Sequence, residues 1–329
     1  HPWADMVRYS RSGGEACAIA VRIARASTKR DKVFFSGYHG WSDWYLASNI
    51  GDKDSLDGQL LPGLDPNGVP RNLKNTSIPF HFNDLDELKS KTLGIEKEIA
   101  AIIVEPARGE DAPKDYLIAL KSFAREIGAV LIFDEITSGF RMCAGGLHLK
   151  YGVNPDIAIF AKSIANGYAM SVIIGKEKIM NAAQSTFISS TNWTERIGPV
   201  AAIATIKKYI KENVSEHIIN IGNSVKSTWK DSAKKNNLPI IISGLPTLGS
   251  FSFDIEDNQK IMTYFTISML EKGFLGYRQF KPSFSHKEKH IKKYSDAVDS
   301  IFASIADESW RKSFKSAPAH TGFSRLTSE

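Results

Sequence analysis

The sequence predicts an α/β fold: a mostly parallel β-sheet with helices on both faces, followed by a smaller α+β lobe. Three observations predict it. Short apolar runs rich in branched residues alternate with longer helical patterns, the signature of a parallel sheet with crossover helices. The 329 residues exceed what one small core needs and fit a large domain plus a lobe. Near residue 214 the alternation gives way to longer amphipathic helices and fewer strands. The boundaries expected are therefore a large domain over 1–213, a small C-terminal lobe over 214–305 and a polar, weakly ordered tail over 306–329.

In chain order, Val33–Phe35, Ala101–Val104, Ala129–Phe133, Ile157–Ala161 and Ser171–Ile174 read as buried strands, being short and apolar throughout. Glu15–Ala26, Leu85–Lys91, Tyr116–Ile127 and Gly198–Asn213 carry the helical period between them. Gly51–Thr76, rich in Gly, Pro, Asn and Asp, reads as a long surface loop, and loops of that length are often functional. In the lobe, Ser215–Asn236, Asn258–Lys272 and Lys287–Ile305 read as helices, and Pro239–Ser243 and Leu248–Asp254 as strands. The chain begins with His1 in what reads as the middle of an element, so a further segment before it is expected.

Composition narrows the function. With 42% hydrophobic and 24% charged residues the chain is an ordinary globular protein rather than a disordered or fibrous one. No apolar run approaches the roughly 20 residues that a membrane-spanning helix needs. The net charge of +6 is spread out; its densest part, Lys287, Lys289, Lys292 and Lys293, reads as a solvated helix face. Without a concentrated basic patch and a reading motif, no nucleic-acid partner is expected. The two cysteines, Cys17 and Cys143, give neither a disulfide framework nor a metal-binding CxxC, which suits the cytoplasm.

Four features bear on chemistry. Ser12-Gly13-Gly14-Glu15 opens the first helical pattern with the spacing of a capping box. Its free N–H groups and the helix dipole suit a phosphate, and the same motif also serves as a plain helix cap. Gly37-Tyr38-His39-Gly40-Trp41 follows a strand, where ligands of open α/β sheets bind, and Tyr38 offers a face for a flat ring. A tight turn of packed aromatics would look the same. His39 has no second histidine at ligand spacing, so no metal is expected. Asp134 follows a buried strand, and a carboxylate there needs a partner. A cationic ring nitrogen, Mg²⁺ or a structural hydrogen bond would each serve. Lys162 leaves the next strand beside a glycine-containing turn; desolvation there would make its amine a nucleophile, whereas an exposed lysine would merely begin a loop. Neither GxGxxG nor GxxxxGK[ST] is present, which argues against a dehydrogenase or nucleotide hydrolase.

Taken together these stretches resemble the class III pyridoxal-phosphate (PLP) aminotransferases of fold type I, and most nearly the glutamate-1-semialdehyde 2,1-aminomutase group. The resemblance rests on VRYSRSGGEACAIAVRIAR (7–25), GYHGWSDW (37–44), AIIVEP (101–106), LIFDEITSGFR (131–141), NPDIAIFAKSIAN (154–166) and TERIGPVAA (194–202), in the family's order and spacing over about residues 1 to 305. It implies that Lys162 joins PLP as a Schiff base and then shuttles the substrate proton. It implies that Asp134 keeps the pyridine nitrogen protonated, that Tyr38 and Ile136 sandwich the ring, and that His39 and Glu105 lie around it. Ser12, Gly13 and Gly14 would hold the phosphate, with Thr194 reaching the cofactor of a neighbouring subunit, hence a homodimer with shared active sites.

The implied function is transfer of an amino group from a small-molecule donor to a keto or aldehyde acceptor. Intramolecular transfer, as in the aminomutase, is the first alternative. A catalytically idle PLP-fold protein serving binding or assembly is the second. This chain departs from the family pattern in two places that matter below. Gly14 stands where the family usually has Thr, and Glu195-Arg196-Ile197-Gly198-Pro199 replaces its serine-glycine-asparagine-proline run, leaving Ser190 and Thr191 as substitutes for Thr194.

Overall fold

The computed structural model describes residues 1–59, 61–107, 113–193 and 195–322, without the side chain of residue 313. The chain divides into two compact units. Of the described residues, those up to Ile210 and Gly322 form the first, and Lys211–Thr321 the second.

The first unit is built on a seven-stranded sheet. Its strands are β1 (Met6–Ser10), β2 (Lys32–Ser36), β3 (Ser77–Pro79), β4 (Ile99–Val104), β5 (Val130–Asp134), β6 (Ile157–Phe160) and β7 (Ser171–Gly175), in spatial order β1-β7-β6-β5-β4-β2-β3. Strands β3, β2, β4, β5 and β6 pair in parallel; β7 runs antiparallel to both β6 and β1. The central strands are apolar and buried along their whole length, because helices cover both faces. The helix Gly13–Thr28 lays Ala16, Cys17, Ala20, Val21, Ile23 and Ala24 into one core layer, while Lys114–Ile127 lays Leu117, Leu120 and Phe123 into the other.

The parallel directions matter for function. The C-terminal ends of β2, β4, β5 and β6 deliver Gly37, Glu105, Asp134 and Lys162 to one edge. β7 begins at that edge and β1 ends there, so the helix Gly13–Thr28 starts there as well.

Two strands of this first unit were not foreseen. β1 reads MVRYS, too polar and too mixed in burial to show a pattern, because as an edge strand it pairs only with β7. β3 has three residues, one of them Pro79, and sits at the opposite edge, where proline is tolerated. The long loop from Gly51 is anchored: Leu56 is fully buried, its N–H donates to Asn49 Oδ1 (3.0 Å), and Asn49 Nδ2 donates to Leu64 O (2.7 Å).

The second unit packs the helices Val214–Lys235, Asn258–Glu271 and Glu288–Ala306 against a three-stranded antiparallel sheet, β8 (Ile240–Ser243), β9 (Gly249–Phe253) and β10 (Gln279–Phe280), in the order β10-β9-β8. Its core is aromatic, with Trp229, Phe251, Phe253, Phe265 and Phe302. Trp310 and Phe314 complete it, although they lie in the stretch expected to be a polar tail; two aromatics in a charged background were enough to dock it. Among the described residues no helix is long and apolar enough to cross a membrane.

Candidate active site

At the strand-end edge of the first unit lies a cavity of about 390 Å³. Ser12, Gly13, Gly14, Tyr38, His39, Glu105, Asp134, Ile136 and Lys162 all contribute to its wall. Thr194 lies outside the described residues. A cavity of this size takes a small cofactor.

The helix start is fixed by local hydrogen bonds. Ser12 caps the helix, its Oγ accepting from Glu15 N at 3.4 Å. The Glu15 carboxylate accepts from Arg11 N (2.7 Å), one residue further back than a standard capping box places it. Behind the cap, the buried hydroxyls of Ser10 and Ser171 lie 2.6 Å apart across the β1–β7 pair, and Ser171 Oγ donates to Ser12 O (2.9 Å). The glycines are required by packing. A Cβ on Gly13 would stand 2.8 Å from Ile136 Cδ1, and one on Gly40 2.6 Å from the Gly14 Cα, so the aromatic turn lies directly against the helix start. Gly40 also has φ +101°, a conformation that glycine adopts freely.

The aromatic turn is held from below. Glu105, 3% exposed, accepts from Tyr38 N (3.1 Å), and a Cβ on Gly37 would collide with that carboxylate. Gln59, from the long loop, accepts from Gly37 N at 2.7 Å, and Tyr45 Oη donates to Gly37 O at 3.0 Å. Tyr38 packs edge-on against Tyr45.

Asp134 is 2% exposed and fully supported. Oδ1 accepts from Ile136 N (3.0 Å); Oδ2 lies 2.8 Å from His39 Nδ1 and 3.3 Å from Cys17 Sγ. His39 stacks on Trp44. The donor atoms of Cys17, His39 and Asp134 lie within 4.8 Å of one another, as metal ligands would. Burial, followed by the Asp134 charge, pushes the Cys17 thiol well up, which suits it as a donor to the carboxylate. His39, expected beside the cofactor, lines the cavity and also bonds Asp134. Next along the chain, Glu135 is fully buried and accepts from Leu147 N and His148 N, both at 2.9 Å, and lies 2.8 Å from His148 Nδ1. Trp3 Nε1 donates to His148 Nε2 (3.1 Å). This network pins the turn that carries Ile136 and Thr137.

Lys162 follows β6 with φ +48°, left-handed backbone that is costly for a side chain with a Cβ. Ala161 before it is extended, so the chain turns sharply and the amine leaves the strand direction. Lys162 Nζ donates to Thr137 Oγ1 at 2.9 Å, which holds it on the wall shared with Asp134.

Sequence reasoning missed three of these residues. Cys17 was legible only as one more position on the buried face of its helix; Thr137 follows Asp134 by three. Arg11 was passed over as a site residue, yet it lines the cavity.

The comparisons agree with this geometry. The family profile "Aminotransferase class-III" matches residues 1–302. The chain is 32% identical over 259 residues to the 3-aminobutyryl-CoA aminotransferase of Cloacimonas acidaminovorans (strain Evry), covering 77% of this chain but only 58% of that relative. It is 31% identical over 328 residues to the glutamate-1-semialdehyde 2,1-aminomutase of Methanococcus maripaludis (strain C7), covering 91% of this chain and 74% of the relative. An omega-transaminase from Sphaerobacter thermophilus superposes with a TM-score of 0.81 at 21% identity, over 93% of this chain and 75% of that one. With its sheet order and its strand-end cavity, the chain belongs to the class III aminotransferases, PLP-dependent proteins of fold type I.

Proposed function

We propose that this chain is an aminotransferase that moves an amino group from a small-molecule donor to a keto or aldehyde acceptor in two half-reactions. One observation carries the reading: an amine, a buried carboxylate, an aromatic face and a glycine-flanked helix start share a single cavity. These residues fit PLP. Asp134, held on both oxygens, is the partner a protonated ring nitrogen requires, and the contacts at Gly13 and Gly40 make the floor that lies against the helix start. When bound, PLP supplies an aldehyde that condenses with amines and a ring that withdraws electrons from the carbon next to the nitrogen.

The protein's own groups do the rest. Lys162 Nζ would hold the cofactor through its aldehyde and would accept and return the proton at the reacting carbon. Asp134 holds the ring nitrogen's proton, with His39, Cys17 and the Ile136 N–H fixing its orientation and charge. Tyr38 and Ile136 confine the ring between them. Glu105 sets the position of Tyr38 through its backbone. Gly13 and Gly14 offer N–H groups to the phosphate beside the Ser12 cap.

The same reading includes a homodimer with shared active sites, supported by Trp41 and Phe187, which are 76% and 85% exposed on the first unit. It places Thr194, or Ser190 or Thr191, at the neighbouring subunit's phosphate. Two free cysteines suit a cytoplasmic location.

The test is direct. PLP added to the chain is expected to give a long-wavelength absorbance band and amino transfer. Lys162→Ala is expected to lose the band and at least roughly 10³-fold of the transfer rate. A variant that keeps the band overturns the assignment of Lys162. The similarity to an aminomutase supports a second reading, intramolecular transfer. Turnover that proceeds equally well without an external amino donor would favour it. An intact lysine and carboxylate on one wall speak against an idle binding protein.

A further inference from the structure

We infer that Arg11 is the side chain that neutralises the phosphate of the cofactor, and that Glu195 parks it beside the cavity until the phosphate arrives. The inference rests on the PLP reading above and deepens it. A bound phosphate carries close to two negative charges, whereas a helix N-terminus offers about half a positive charge. Gly14 contributes no hydroxyl to make up the difference. Among the described residues of the wall, the cationic side chains are Lys162, assigned to the aldehyde, and Arg11. Arg11 immediately precedes the cap residue Ser12, so its reach begins at the phosphate end of the cavity.

Its present partners make the exchange feasible. One guanidinium nitrogen donates to Glu195 Oε1 at 3.0 Å and to Ala169 O at 3.2 Å. The pair is partly open to solvent, 31% and 24% exposed, so breaking it strands no buried charge. Glu195 does not depend on Arg11 for its own charge. It also accepts from Gly198 N (2.9 Å) and Ile197 N (2.7 Å), capping the helix Ile197–Lys211. Those backbone donors, Gly198 first, hold its carboxyl below the usual carboxylate range, with Arg11 adding less. Glu195 therefore keeps its negative charge and its hydrogen bonds after Arg11 leaves. A guanidinium then meets the phosphate with its fork of N–H donors, a stronger contact than the exposed carboxylate pair it gives up.

The experiment is equilibrium binding of PLP, pyridoxal and inorganic phosphate to the full chain freed of cofactor, with melting temperatures recorded for every variant. Arg11→Gln is expected to raise the PLP Kd roughly ten- to hundredfold while leaving the pyridoxal Kd in place. Arg11→Lys, which keeps the charge, recovers part of the loss. Glu195→Gln is expected to tighten PLP roughly two- to fivefold, because the competing carboxylate is gone. Inorganic phosphate competes with PLP in the native chain and much less in Arg11→Gln.

Equal weakening of PLP and pyridoxal in Arg11→Gln would make Arg11 a structural strut and overturn the inference. So would an unchanged PLP Kd accompanied by a raised KM for a carboxylate-bearing acceptor, which would give Arg11 to the substrate. If Arg11→Gln fails to fold, Arg11→Lys and the salt dependence of the native Kd decide: a PLP Kd as flat in salt as that of pyridoxal overturns it. A native chain that binds no PLP refutes the aminotransferase reading itself, whereas native binding indifferent to Arg11 refutes this inference alone.

Discussion

The two units bury different kinds of side chain. In the first, carboxylates and imidazoles lie under the sheet edge: Glu105, Asp134, Glu135, His39 and His148 are each 3% exposed or less. In the second, the buried polar side chains among the described residues are Thr228, Ser232, Thr247 and Ser268, together with the Tyr294 hydroxyl, which accepts from Trp229 Nε1 within the aromatic core. Burying ionisable groups costs free energy even when they are paired, and apolar packing of the same volume is often more stable. Among the described residues, the first unit gathers its buried carboxylates and imidazoles along the edge where the cavity lies. Chemistry is thus concentrated where the fold opposes it, and the second unit is ordinary hydrophobic structure.

Substitutions on either side test this contrast. The largest effect is expected from Asp134→Asn. Transfer should fall roughly 10²–10⁴-fold, with PLP still bound and no loss of melting temperature comparable to a core cavity. Normal turnover would remove Asp134 from the chemistry. In the second unit, Gly222 packs against Pro246 so closely that an added Cβ would lie 1.9 Å from the Pro246 carbonyl oxygen. Gly222→Ala is expected to cost about 1–3 kcal/mol of stability, seen as a lower midpoint in thermal unfolding, while PLP affinity per folded molecule stays unchanged. A midpoint that does not move would mean the helix shifts without cost.

The smallest effect concerns pH. Glu87 sits on the exposed helix Leu85–Thr92. Partial burial pushes its carboxyl up, but hydrogen bonds from the His81 N–H, Lys91 and the His81 ring outweigh that and bring it down from 4.5 to about 2. A group lowered on folding adds stability above its unfolded value, and that stability fades as pH falls from 4.5 toward about 2. Solvent screening keeps the contribution below about 1 kcal/mol. Glu87→Gln should therefore lower stability at neutral pH by less than about 1 kcal/mol and shallow the acid limb to match, leaving the strongly acid end unchanged. A steep residual acid limb would point instead to the buried carboxylates of the cavity edge.

The central strands were legible because they are buried on both faces, and an apolar run bounded by turns announces itself. The edge strands β1 and β3 were not, since each has one partner and little need of apolar residues. The docking of Trp310 was hidden for a related reason: burial of one or two aromatics leaves no periodicity to read. At the cavity, the residues that end strands could be found by position. The supports Cys17 and Thr137 could not, because their contacts join parts of the chain far apart or depend on the shape of one turn. Cys17 reaches Asp134 across 117 positions of sequence.

The left-handed backbone at Lys162 has an evolutionary corollary. Glycine would occupy that conformation with roughly 1 kcal/mol less strain. At this one site, then, selection for heat resistance and selection for turnover pull in opposite directions. A library screened only for survival on heating should drift toward glycine at 162, enriching sturdy molecules without the amine that the proposed reaction needs.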